Sequence, residues 1–350
     1  MSEQLRLEQY DTVLYNSNLN PMGIPESVKK ALSDNIESIV KYPDIYYDNL
    51  KKAIATYAKC NEDCIVLGNG SSDMLRMFTA IIGPKKALLL KPSATEYENV
   101  LTIFGCEIDF FELDEEKDFE LDVHELVSSL DSSYDMIVIG NPNNPTSQII
   151  SRDDIETLAE VCKRLDIFLV VDEMYIEFVE KYENITAIPL TDEYDNLVVM
   201  RSISKFFAVP GLRLSYSIMN NPDYSAVLEI TTTPNSVSTL TAAACCEMFK
   251  DSSYIMASRS QIKTERNLIY SAMSTSKKVK LYKPYANFML VKILEDHVFA
   301  NDVEERCKVK GIIIRNCENI RGLSNKYIRF CFMKPEQNDL LVNTILESLN

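Results

Sequence analysis

The residues best suited to chemistry follow apolar stretches of the chain, where strands are expected to end. They stand in four short segments, residues 68–73, 141–146, 172–175 and 201–213. The last segment contains Lys205, which is followed by Phe206 and Phe207. Apolar neighbours withdraw an amine from water, and desolvation lowers the pKa of a lysine and makes it a nucleophile. The pattern therefore indicates a nucleophilic amine, with a solvated surface lysine as the ordinary alternative.

The other three segments supply complementary groups. Asp172 is a carboxylate at the end of an apolar stretch, so it needs a partner, either a ligand cation or a helix cap or salt bridge. Asn144 lies between two prolines, which pre-organise its side chain for a ligand or simply form a tight turn. Residues 68–72 read GNGSS, which equally suits an ordinary strand–helix connection or a phosphate bound at a helix N-terminus.

Composition narrows the class of protein. The chain has 350 residues, of which 46% are hydrophobic, and its 36 basic and 52 acidic residues give a net charge of −16. Such an acidic chain is a poor general binder of nucleic acids or anionic membranes, because both require clustered positive charge. Only two histidines occur, which excludes a histidine-rich metal site, and no metal site is expected.

Cysteine usage and the N-terminal sequence bear on the cellular compartment. Nine cysteines are scattered along the chain without a C-x-x-C pair or metal-ligand spacing, which indicates reduced thiols. The N-terminal MSEQLRLEQYDTV contains no apolar signal core, and no apolar run approaches the ~20 residues of a membrane span. We therefore expect a cytoplasmic protein.

The elements that must position the chemical groups alternate between strands and helices after residue 61. Strands are predicted at 65–67, 87–90, 107–111, 136–139, 167–171 and 197–200, and helices at 72–82, 94–104, 123–130 and 152–165. Uniformly apolar strands separated by helices imply a parallel sheet that is covered on both faces. The predicted fold class is therefore α/β, with a doubly wound, mainly parallel sheet.

Three regions are expected along the chain, without an internal repeat or a low-complexity linker. Residues 1–57 would pack with a small domain or with a partner subunit. Residues 58–275 would form a large α/β domain that ends in a mostly helical stretch, and residues 276–350 a small α+β domain. In the last region, strands are predicted at 288–292, 312–315 and 327–332, and helices at 298–310 and 338–348.

The predicted sheet would collect the chemical groups at one edge, because ligands of open α/β sheets bind at the carboxyl ends of the strands. That edge would hold the amine of Lys205, the acid Asp172, the amide of Asn144 and the phosphate-binding turn 68–72. A cofactor with an aldehyde, a pyridine nitrogen, a phenolic oxygen and a phosphate would use every one of these groups. The combination therefore indicates pyridoxal 5′-phosphate (PLP).

With these residues in place, the chain resembles the fold-type I PLP enzymes, the aspartate aminotransferase superfamily. It is most similar to the histidinol-phosphate aminotransferase and threonine-phosphate decarboxylase branch. The resemblance runs along nearly the whole chain, through the motifs NLNPMGIPESV, KYPD, GNGSSD, NPNNPT, VDEMY, RSISKFFAVPGLRLSY, PNSV, IIIRNCENIRGL and YIRF. It implies a PLP-dependent enzyme with a large domain and a smaller C-terminal α+β domain.

The resemblance also implies a role for each matching residue. Lys205 would bind the cofactor aldehyde covalently and shuttle the Cα proton, and Asp172 would pair with the pyridine nitrogen. Asn144 and Tyr175 would bind the ring oxygen. The phosphate would be held by Gly70, Ser71, Ser72, Ser202, Ser204 and Arg213, and by Tyr42 from the neighbouring subunit of a homodimer. The substrate would be bound by Arg329 at its carboxylate, by Arg315 at a second anionic group, and by Asn18 and Asn20 at the mouth of the site.

Three departures from the family pattern limit what is carried over. Ala94 stands where an aromatic ring would stack on the cofactor, so Tyr97 must cover the ring or its face is more open. The family's GLRLG reads GLRLS at residues 211–215, which is a small change. The N-terminal His-Gly-Gly-Asn segment typical of the decarboxylases has no equivalent in this sequence, which argues against carrying over that activity.

These residues lead to one expected function and three alternatives. We expect an aminotransferase that acts on a small amino substrate bearing a phosphate or phosphonate, with a keto substrate as acceptor. Decarboxylation of O-phospho-L-threonine is the first alternative, because about an ångström of substrate placement decides which Cα bond breaks. A non-catalytic PLP-fold binding protein is the second. The third is a nucleotide-binding protein, which the lack of a Walker lysine disfavours. For Arg315 and Arg329, ion pairing at a strand edge is the alternative to substrate binding.

Overall fold

The computed structural model describes residues 12–231 and 236–350. Its strands are β1 (Val13–Leu14), β2 (Ile65–Gly68), β3 (Lys86–Lys91), β4 (Glu107–Glu112), β5 (Met136–Gly140), β6 (Phe168–Asp172), β7 (Leu197–Ser202), β8 (Ser215–Ile218), β9 (Val279–Leu281), β10 (Phe288–Ile293), β11 (Ile312–Ile313), β12 (Arg315–Asn316) and β13 (Tyr327–Cys331). Its α-helices are α1 (Glu26–Asp34), α2 (Asp48–Ala58), α3 (Ser71–Ile82), α4 (Thr95–Ile103), α5 (Val123–Ser128), α6 (Arg152–Leu165), α7 (Pro222–Thr231), α8 (Thr239–Met248), α9 (Ser252–Met273), α10 (Ala300–Val309) and α11 (Pro335–Ser348). The N-terminal MSEQLRLEQYD and the first two residues of the PNSV motif lie outside the described residues.

Seven strands form one sheet in the order β2-β8-β7-β6-β5-β3-β4. The strands from β7 to β4 pair in parallel, whereas β8 runs antiparallel to both β7 and β2. The predicted α/β class with a mainly parallel sheet is confirmed. The sequence pattern did not predict β8, because its sequence SYSI alternates small hydroxyl residues with large ones, whereas the prediction searched for uniformly apolar runs.

The large sheet is buried on both faces, as its apolar strands predict. Along β5, successive side chains point to opposite faces. Ile137 and Ile139 join one hydrophobic cluster, and Met136 and Val138 join another. Burying an aliphatic side chain of this size contributes about 1.5–3 kcal/mol. The strands that carry the chemical groups at their ends are therefore held in a rigid sheet.

Helix α6 shows how the sequence fixes the start and the buried side of a helix. Helix α6 occupies the predicted range, and the Ser151 hydroxyl caps it by accepting a hydrogen bond from the Asp154 N–H at 3.1 Å. Its residues Ile155, Leu158 and Cys162 are fully buried, as expected for the apolar side of an amphipathic helix. Among the described residues, no helix combines the length and the apolar character needed to cross a bilayer.

A second, antiparallel sheet of four strands lies in the C-terminal region, in the order β12-β13-β10-β9. The single strand predicted at 312–315 is divided, because β11 pairs in parallel with β1 and β12 pairs with β13. The short strand β9 was not predicted. Through the pairs of Val13 with Ile312 and Leu14 with Ile313, the N-terminal segment is attached to the C-terminal region. Helix α1 packs on α8.

Candidate active site

The carboxyl ends of β5, β6 and β7 lie side by side, because Gly140 pairs with Asp172 and Asp172 pairs with Met200. A cavity of about 290 Å³ lies at this edge of the sheet. The predicted site residues that line it are Ser71, Ser72, Asn144, Asp172, Tyr175, Ser204, Lys205 and Arg213. The structure therefore brings groups from all four sequence segments into one cavity.

The amine of Lys205 is largely withdrawn from water. Its Nζ donates a hydrogen bond to the backbone carbonyl of Ser17 at 2.8 Å. Burial lowers the pKa of Lys205 to about 8, and the nearby positive charges of Arg329 and Arg213 act in the same direction. More of this amine is unprotonated at neutral pH than in a surface lysine. Lys205 therefore has the character of a nucleophile.

The carboxylate of Asp172 is buried at the end of β6, with both oxygens engaged. Oδ1 accepts a hydrogen bond from the Met174 N–H at 3.0 Å, and Oδ2 accepts one from the Tyr97 hydroxyl at 2.9 Å. Burial raises the pKa of Asp172 to about 6, and the two hydrogen bonds oppose that rise. Asp172 is therefore mainly ionised at neutral pH and can bind a cation.

The contact between Tyr97 and Asp172 is a feature that the sequence reasoning missed. Tyr97 was predicted only as a cover for the cofactor ring, and that role stays a prediction. Its ring is buried on α4 and its hydroxyl reaches the end of β6. The sequence indicated that the buried carboxylate of Asp172 needs a hydrogen-bond donor. No sequence pattern identified that donor as a tyrosine 75 residues away. Glu96, Met174 and Met200 also line the cavity without having been predicted.

Tyr175 and Asn144 each form a hydrogen bond with another predicted site residue. The Tyr175 hydroxyl accepts a hydrogen bond from Nδ2 of Asn18 at 3.3 Å, and its ring packs edge-on against Phe288. Oδ1 of Asn144 accepts a hydrogen bond from Nη1 of Arg329. Oδ1 of Asn18 is buried and has no hydrogen-bond partner among the described residues. Asn18 therefore lies beside the site with a free acceptor.

The turn before α3 forms a cradle with Arg213. Gly70 has a φ of +101°, and a Cβ at this position would overlap Nη2 of Arg213. Nη2 in turn donates to the backbone carbonyl of Asn69 at 3.2 Å. Ser71 and Ser72 begin the helix, whose first N–H groups favour an anion. The glycine, the guanidinium and the hydroxyls are the groups that a phosphate requires.

The two serines after β7 differ in access to the cavity. Ser204 lines it, whereas Ser202 is buried behind Ser204 and donates a hydrogen bond to its Oγ at 3.0 Å. Ser202 also accepts a hydrogen bond from the Ser204 N–H at 3.3 Å. Ser202 therefore supports the turn that leads to Lys205, and Ser204 is the hydroxyl that faces the cavity.

Arg329 and Arg315 lie on neighbouring strands of the small sheet, with their Cα atoms directly paired. Nη2 of Arg329 donates to the backbone carbonyl of Asn16 at 2.9 Å, while its Nε is buried without a partner among the described residues. Nη2 of Arg315 donates to Oδ1 of Asn319 at 2.7 Å. The described arginines that form ion pairs are Arg201, Arg266 and Arg321.

Asn20 was predicted to line the mouth of the site, and both ends of its amide form hydrogen bonds inside the protein. Nδ2 donates to the Phe206 carbonyl at 2.7 Å and to Oγ of Ser258 at 2.8 Å, and Oδ1 accepts from the Met22 N–H at 3.1 Å. Asn20 therefore supports the turn that contains Lys205, and its contact with a substrate stays a prediction.

Tyr42 does not reach the cavity of its own chain. Its side chain is 89% exposed, in a segment whose other apolar residues are also exposed: Ile36, Ile39, Val40, Ile45 and Tyr46. The resemblance assigns Tyr42 to the cavity of a neighbouring subunit, and that assignment stays a prediction. Contiguous exposed apolar residues of this kind mark interaction surfaces.

A buried ion pair lies directly behind the cavity. Glu173 follows Asp172, and its carboxylate accepts hydrogen bonds from Nε and Nη2 of Arg201, at 3.0 and 2.8 Å. The same carboxylate accepts from the Thr186 hydroxyl at 2.7 Å and from the Ala187 N–H at 2.6 Å. The pair connects the ends of β6 and β7 and so helps to fix the residues that follow both strands.

These groups fit one kind of cofactor. The lysine with its lowered pKa suits an aldehyde, and the ionised Asp172 suits a protonated ring nitrogen. The absence of a Cβ at Gly70 leaves room for the guanidinium of Arg213, which suits a phosphate. The residues present therefore fit pyridoxal phosphate, and Lys205, Asp172 and Arg213 are the residues that would hold it.

Comparisons with known proteins agree with this fit. The chain matches the family described as aminotransferase class I and II over residues 10–345. The chain belongs to this family. The threonine-phosphate decarboxylase of Salmonella typhimurium is 30% identical over 94% of this chain and 88% of that protein. The histidinol-phosphate aminotransferase of Methanocaldococcus jannaschii is 28% identical over 91% of this chain and 84% of that protein.

A solved structure agrees with the family assignment. The histidinol-phosphate aminotransferase of Clostridium acetobutylicum superposes with a TM-score of 0.90 at 29% identity, covering 97% of this chain and 99% of the other. Class I and II aminotransferases use PLP, and the relatives of this chain are transaminases or decarboxylases. The chain is therefore a PLP-dependent enzyme of the fold-type I class.

Proposed function

We propose that the chain catalyses transamination of a small amino compound that carries a phosphate or phosphonate group. The observation that carries this proposal is the pair of Arg315 and Arg329. Because directly paired residues of a sheet point to the same face, both side chains leave the same face of the small sheet, and Arg329 contacts Asn144, which lines the cavity. A substrate with a carboxylate and a second anion would neutralise both.

The size of the cavity supports a small substrate. Ligand pockets in proteins commonly span about 300–1,000 Å³, and this cavity, which must also hold the cofactor, measures about 290 Å³. A short chain with an amine, a carboxylate and a phosphorus-containing anion is compatible with a cavity at the lower end of this range.

Each residue would do a distinct part of the work. PLP, when bound, supplies an electron sink that weakens the bonds of the substrate Cα. Lys205 would take up and return the Cα proton, and a pKa of about 8 suits an amine that works near neutral pH. Asp172 would pair with the ring nitrogen in its ionised form, and Tyr175 would donate its hydroxyl to the ring oxygen.

The orientation of the carboxylate would decide which bond breaks. Arg329 is held in place by Asn144 and by the Asn16 carbonyl, and a guanidinium can bind a carboxylate through two parallel N–H groups. A carboxylate held in this way would stay on the substrate, so the Cα proton would leave instead. That outcome is transamination.

Decarboxylation of O-phospho-L-threonine is the second candidate. It is supported by the similarity to the Salmonella typhimurium threonine-phosphate decarboxylase at 30% identity over most of both chains. Its substrate also carries two anionic groups, which Arg315 and Arg329 could share. We place this function second, because a carboxylate held by Arg329 would stay on the substrate.

The two candidates are separated by the fate of the substrate carboxylate. The PLP-loaded enzyme is incubated with amino donors that carry or lack a phosphate or phosphonate, first alone and then together with 2-oxoglutarate. Without the acceptor, transamination should convert the cofactor to its amine form, with loss of its visible absorbance band. With the acceptor, it should yield a keto product and glutamate. Release of CO₂ without that conversion would replace the first candidate by the second. The Lys205→Met variant, which has no amine to move the proton, should be inactive in both assays.

We also propose that the enzyme is a homodimer in which Tyr42 contacts the cofactor phosphate of the other subunit. The exposed apolar residues around Tyr42 support an interface at this segment. Sedimentation should give about twice the chain mass of 39.9 kDa. Tyr42→Phe should weaken PLP binding without dissociating the dimer, and a monomer of full PLP affinity would contradict the proposal.

We propose a cytoplasmic location because the cysteine thiols are unpaired. All nine cysteines are free, and seven of them are buried. Unpaired cysteines throughout a chain are typical of reducing compartments. Thiol titration of the protein, freshly purified without reductant and then denatured, should give nine reactive thiols. A lower count caused by disulfides would contradict this location.

A further inference from the structure

We propose that Tyr97 is a positioning residue, which holds Asp172 in place and in its charged form for the cofactor's ring nitrogen. The proposal goes beyond the ring-covering role expected of Tyr97, and it rests on the role proposed above for Asp172. It begins from one contact, the hydrogen bond of 2.9 Å from the Tyr97 hydroxyl to Oδ2 of Asp172.

The fold delivers the Tyr97 hydroxyl to this position through buried packing. Tyr97 lies in the first turn of α4, is 5% exposed, and packs its ring among the apolar residues of one face of the large sheet. Gly140 ends β5 beside Asp172, and a Cβ there would lie 3.1 Å from the Tyr97 oxygen. The absence of a side chain at Gly140 therefore gives the hydroxyl an unobstructed path to the carboxylate.

The carboxylate keeps room for the cofactor. Each oxygen of Asp172 accepts one hydrogen bond from the protein, from the Tyr97 hydroxyl and from the Met174 N–H. A carboxylate oxygen has about two acceptor sites, so one site on each oxygen remains. Tyr97 and Met174 thus fix the plane of the carboxylate and leave acceptor capacity for an N–H donor from the cavity.

The hydroxyl also affects the charge of Asp172. Burial favours the neutral acid, whereas a donor that binds the carboxylate favours the ionised form. A hydrogen bond to a charged group typically corresponds to one or two pKa units. The pKa of Asp172 is already raised to about 6 by burial, so loss of the hydroxyl would bring its titration into the neutral range. A protonated Asp172 could not pair with a cationic ring nitrogen.

Other titratable or charged groups lie near Asp172 and Tyr175 and must be held constant in a test. Glu96 on α4, Tyr175 after β6, and Lys205 and Arg213 after β7 line the cavity, whereas Glu173 and Arg329 act on this region from outside its lining. Each of them is retained when Tyr97 is changed to Phe. The titration of these groups, including Lys205, affects variant and wild type alike. It therefore cancels when the PLP affinity of the variant is divided by that of wild type at the same pH.

The experiment measures the Kd of PLP for the cofactor-depleted enzyme at pH 6.0 and pH 8.5. Tyr97→Phe should bind PLP about tenfold more weakly than wild type at pH 6.0 and within threefold of it at pH 8.5. The matched control is Tyr134→Phe, which also removes a 2.9 Å hydrogen bond from a tyrosine to an aspartate, Asp109, outside the cavity. It should bind like wild type at both pH values.

Two further variants keep the proposal open to failure. Asp172→Asn should bind PLP weakly at both pH values, and normal binding by it would overturn the proposed role of Asp172 itself. If Tyr97→Phe does not fold, Gly140→Ala, whose Cβ would crowd the hydroxyl at 3.1 Å, should show a smaller loss of PLP affinity that is again greater at pH 6.0 than at pH 8.5. With Asp172→Asn impaired, a loss in Tyr97→Phe that is equal at both pH values, or no loss at all, would overturn the positioning role of Tyr97 alone.

Discussion

Arg315 and Arg329 stand opposite each other on adjacent antiparallel strands, with their Cα atoms in register. Like charges in directly opposite positions destabilise a sheet, and the ion pairs of the described arginines involve other residues. The fold places these two like charges in register, and the charge of Arg329 also lowers the pKa of Lys205. A substrate with two anions would relieve that repulsion, which is why we assign both residues to substrate binding.

Replacing Arg329 by Lys should lower kcat/KM at least about a hundredfold for a phosphorylated or phosphonylated amino donor, because a point charge replaces a planar fork. Replacing Arg315 by Lys should cost about tenfold, and only for donors that carry the second anion. Kinetics on donor pairs with and without that anion measure both effects. Arg321→Lys, at an exposed arginine bound to Glu98, is the control. An equal loss on both donors in Arg315→Lys would contradict its assignment to the second anion.

Replacing Gly70 by Ala should weaken PLP binding at least about tenfold, because the new Cβ would displace Arg213 from the phosphate cradle. The backbone strain at a φ of +101° should also lower the free energy of unfolding by about 1–3 kcal/mol. Gly105→Ala separates the two effects, since Gly105 has a φ of +73° and open space around it. That variant should lose stability and bind PLP normally, as measured by urea unfolding and cofactor titration. Equal PLP affinities in the two variants would argue against the cradle.

Replacing Glu173 by Ala should lower the free energy of unfolding by about 3 kcal/mol, because it leaves the buried guanidinium of Arg201 with only the more distant carboxylate of Glu177, at 3.8 Å. Arg201 is 1% exposed and Glu173 is fully buried. An exposed pair offers the comparison: Glu247→Ala, which breaks a contact of 2.8 Å with Lys250, should cost less than about 1 kcal/mol. Urea unfolding curves of both variants measure the difference, and similar small losses would show that the buried pair is dispensable.

The pH dependence of stability should reveal the buried amine of Lys205 in the cofactor-free protein. Its pKa is about 8 in the folded chain and about 10.4 in an unfolded one. Between these values the unfolded state binds more protons, so stability rises with pH. Below pH 8 the folded state bears the full free-energy cost of keeping the buried amine of Lys205 charged or of releasing its proton. This cost corresponds to about 3 kcal/mol, and it disappears as the pH approaches 10.4.

The Lys205→Met variant isolates this effect. It lacks the titrating amine, whereas all the tyrosines and cysteines that titrate in the same range are kept. The difference in unfolding free energy, wild type minus variant, should therefore increase by about 3 kcal/mol from pH 7.5 to pH 10.5. A difference that stays constant over this range would mean that the amine is solvated.

The sheet and the reactive edge could be predicted from the sequence, because the rule that joins them is general. Apolar runs identified β5, β6 and β7, and parallel strands end at a common edge. It followed that Asn144, Asp172 and Lys205 would meet, and the structure places all three in one cavity. Turn residues such as Gly70 could be recognised because only glycine tolerates both its φ and the close guanidinium.

The remaining contacts depend on packing that no local pattern encodes. The Tyr97 hydroxyl meets Asp172 because α4 lies at one particular rotation on the sheet. The sequence position of Asn20 did not reveal that Phe206 and Ser258 would take both of its amide hydrogens. The strand predicted at 312–315 divides in two, because β1 and β13 each bind one part of it.

The N-terminal segment can take its folded position only late in the synthesis of the chain. It is held by the pairing of β1 with β11 and by the hydrogen bond from the Cys331 N–H to the Tyr15 carbonyl at 2.9 Å. Ser17, which contacts Lys205, and Asn16, which contacts Arg329, are synthesised early. The strands on which their segment docks are made near the end of translation. While the ribosome is still working, the segment around Ser17 has no strand on which to dock. The contacts of Ser17 with Lys205 and of Asn16 with Arg329 can therefore be fixed only after residues 312–331 have left the exit tunnel, although the residues that line the cavity all precede residue 214. A nascent chain stalled earlier should contain the cavity but lack the contacts that hold Arg329.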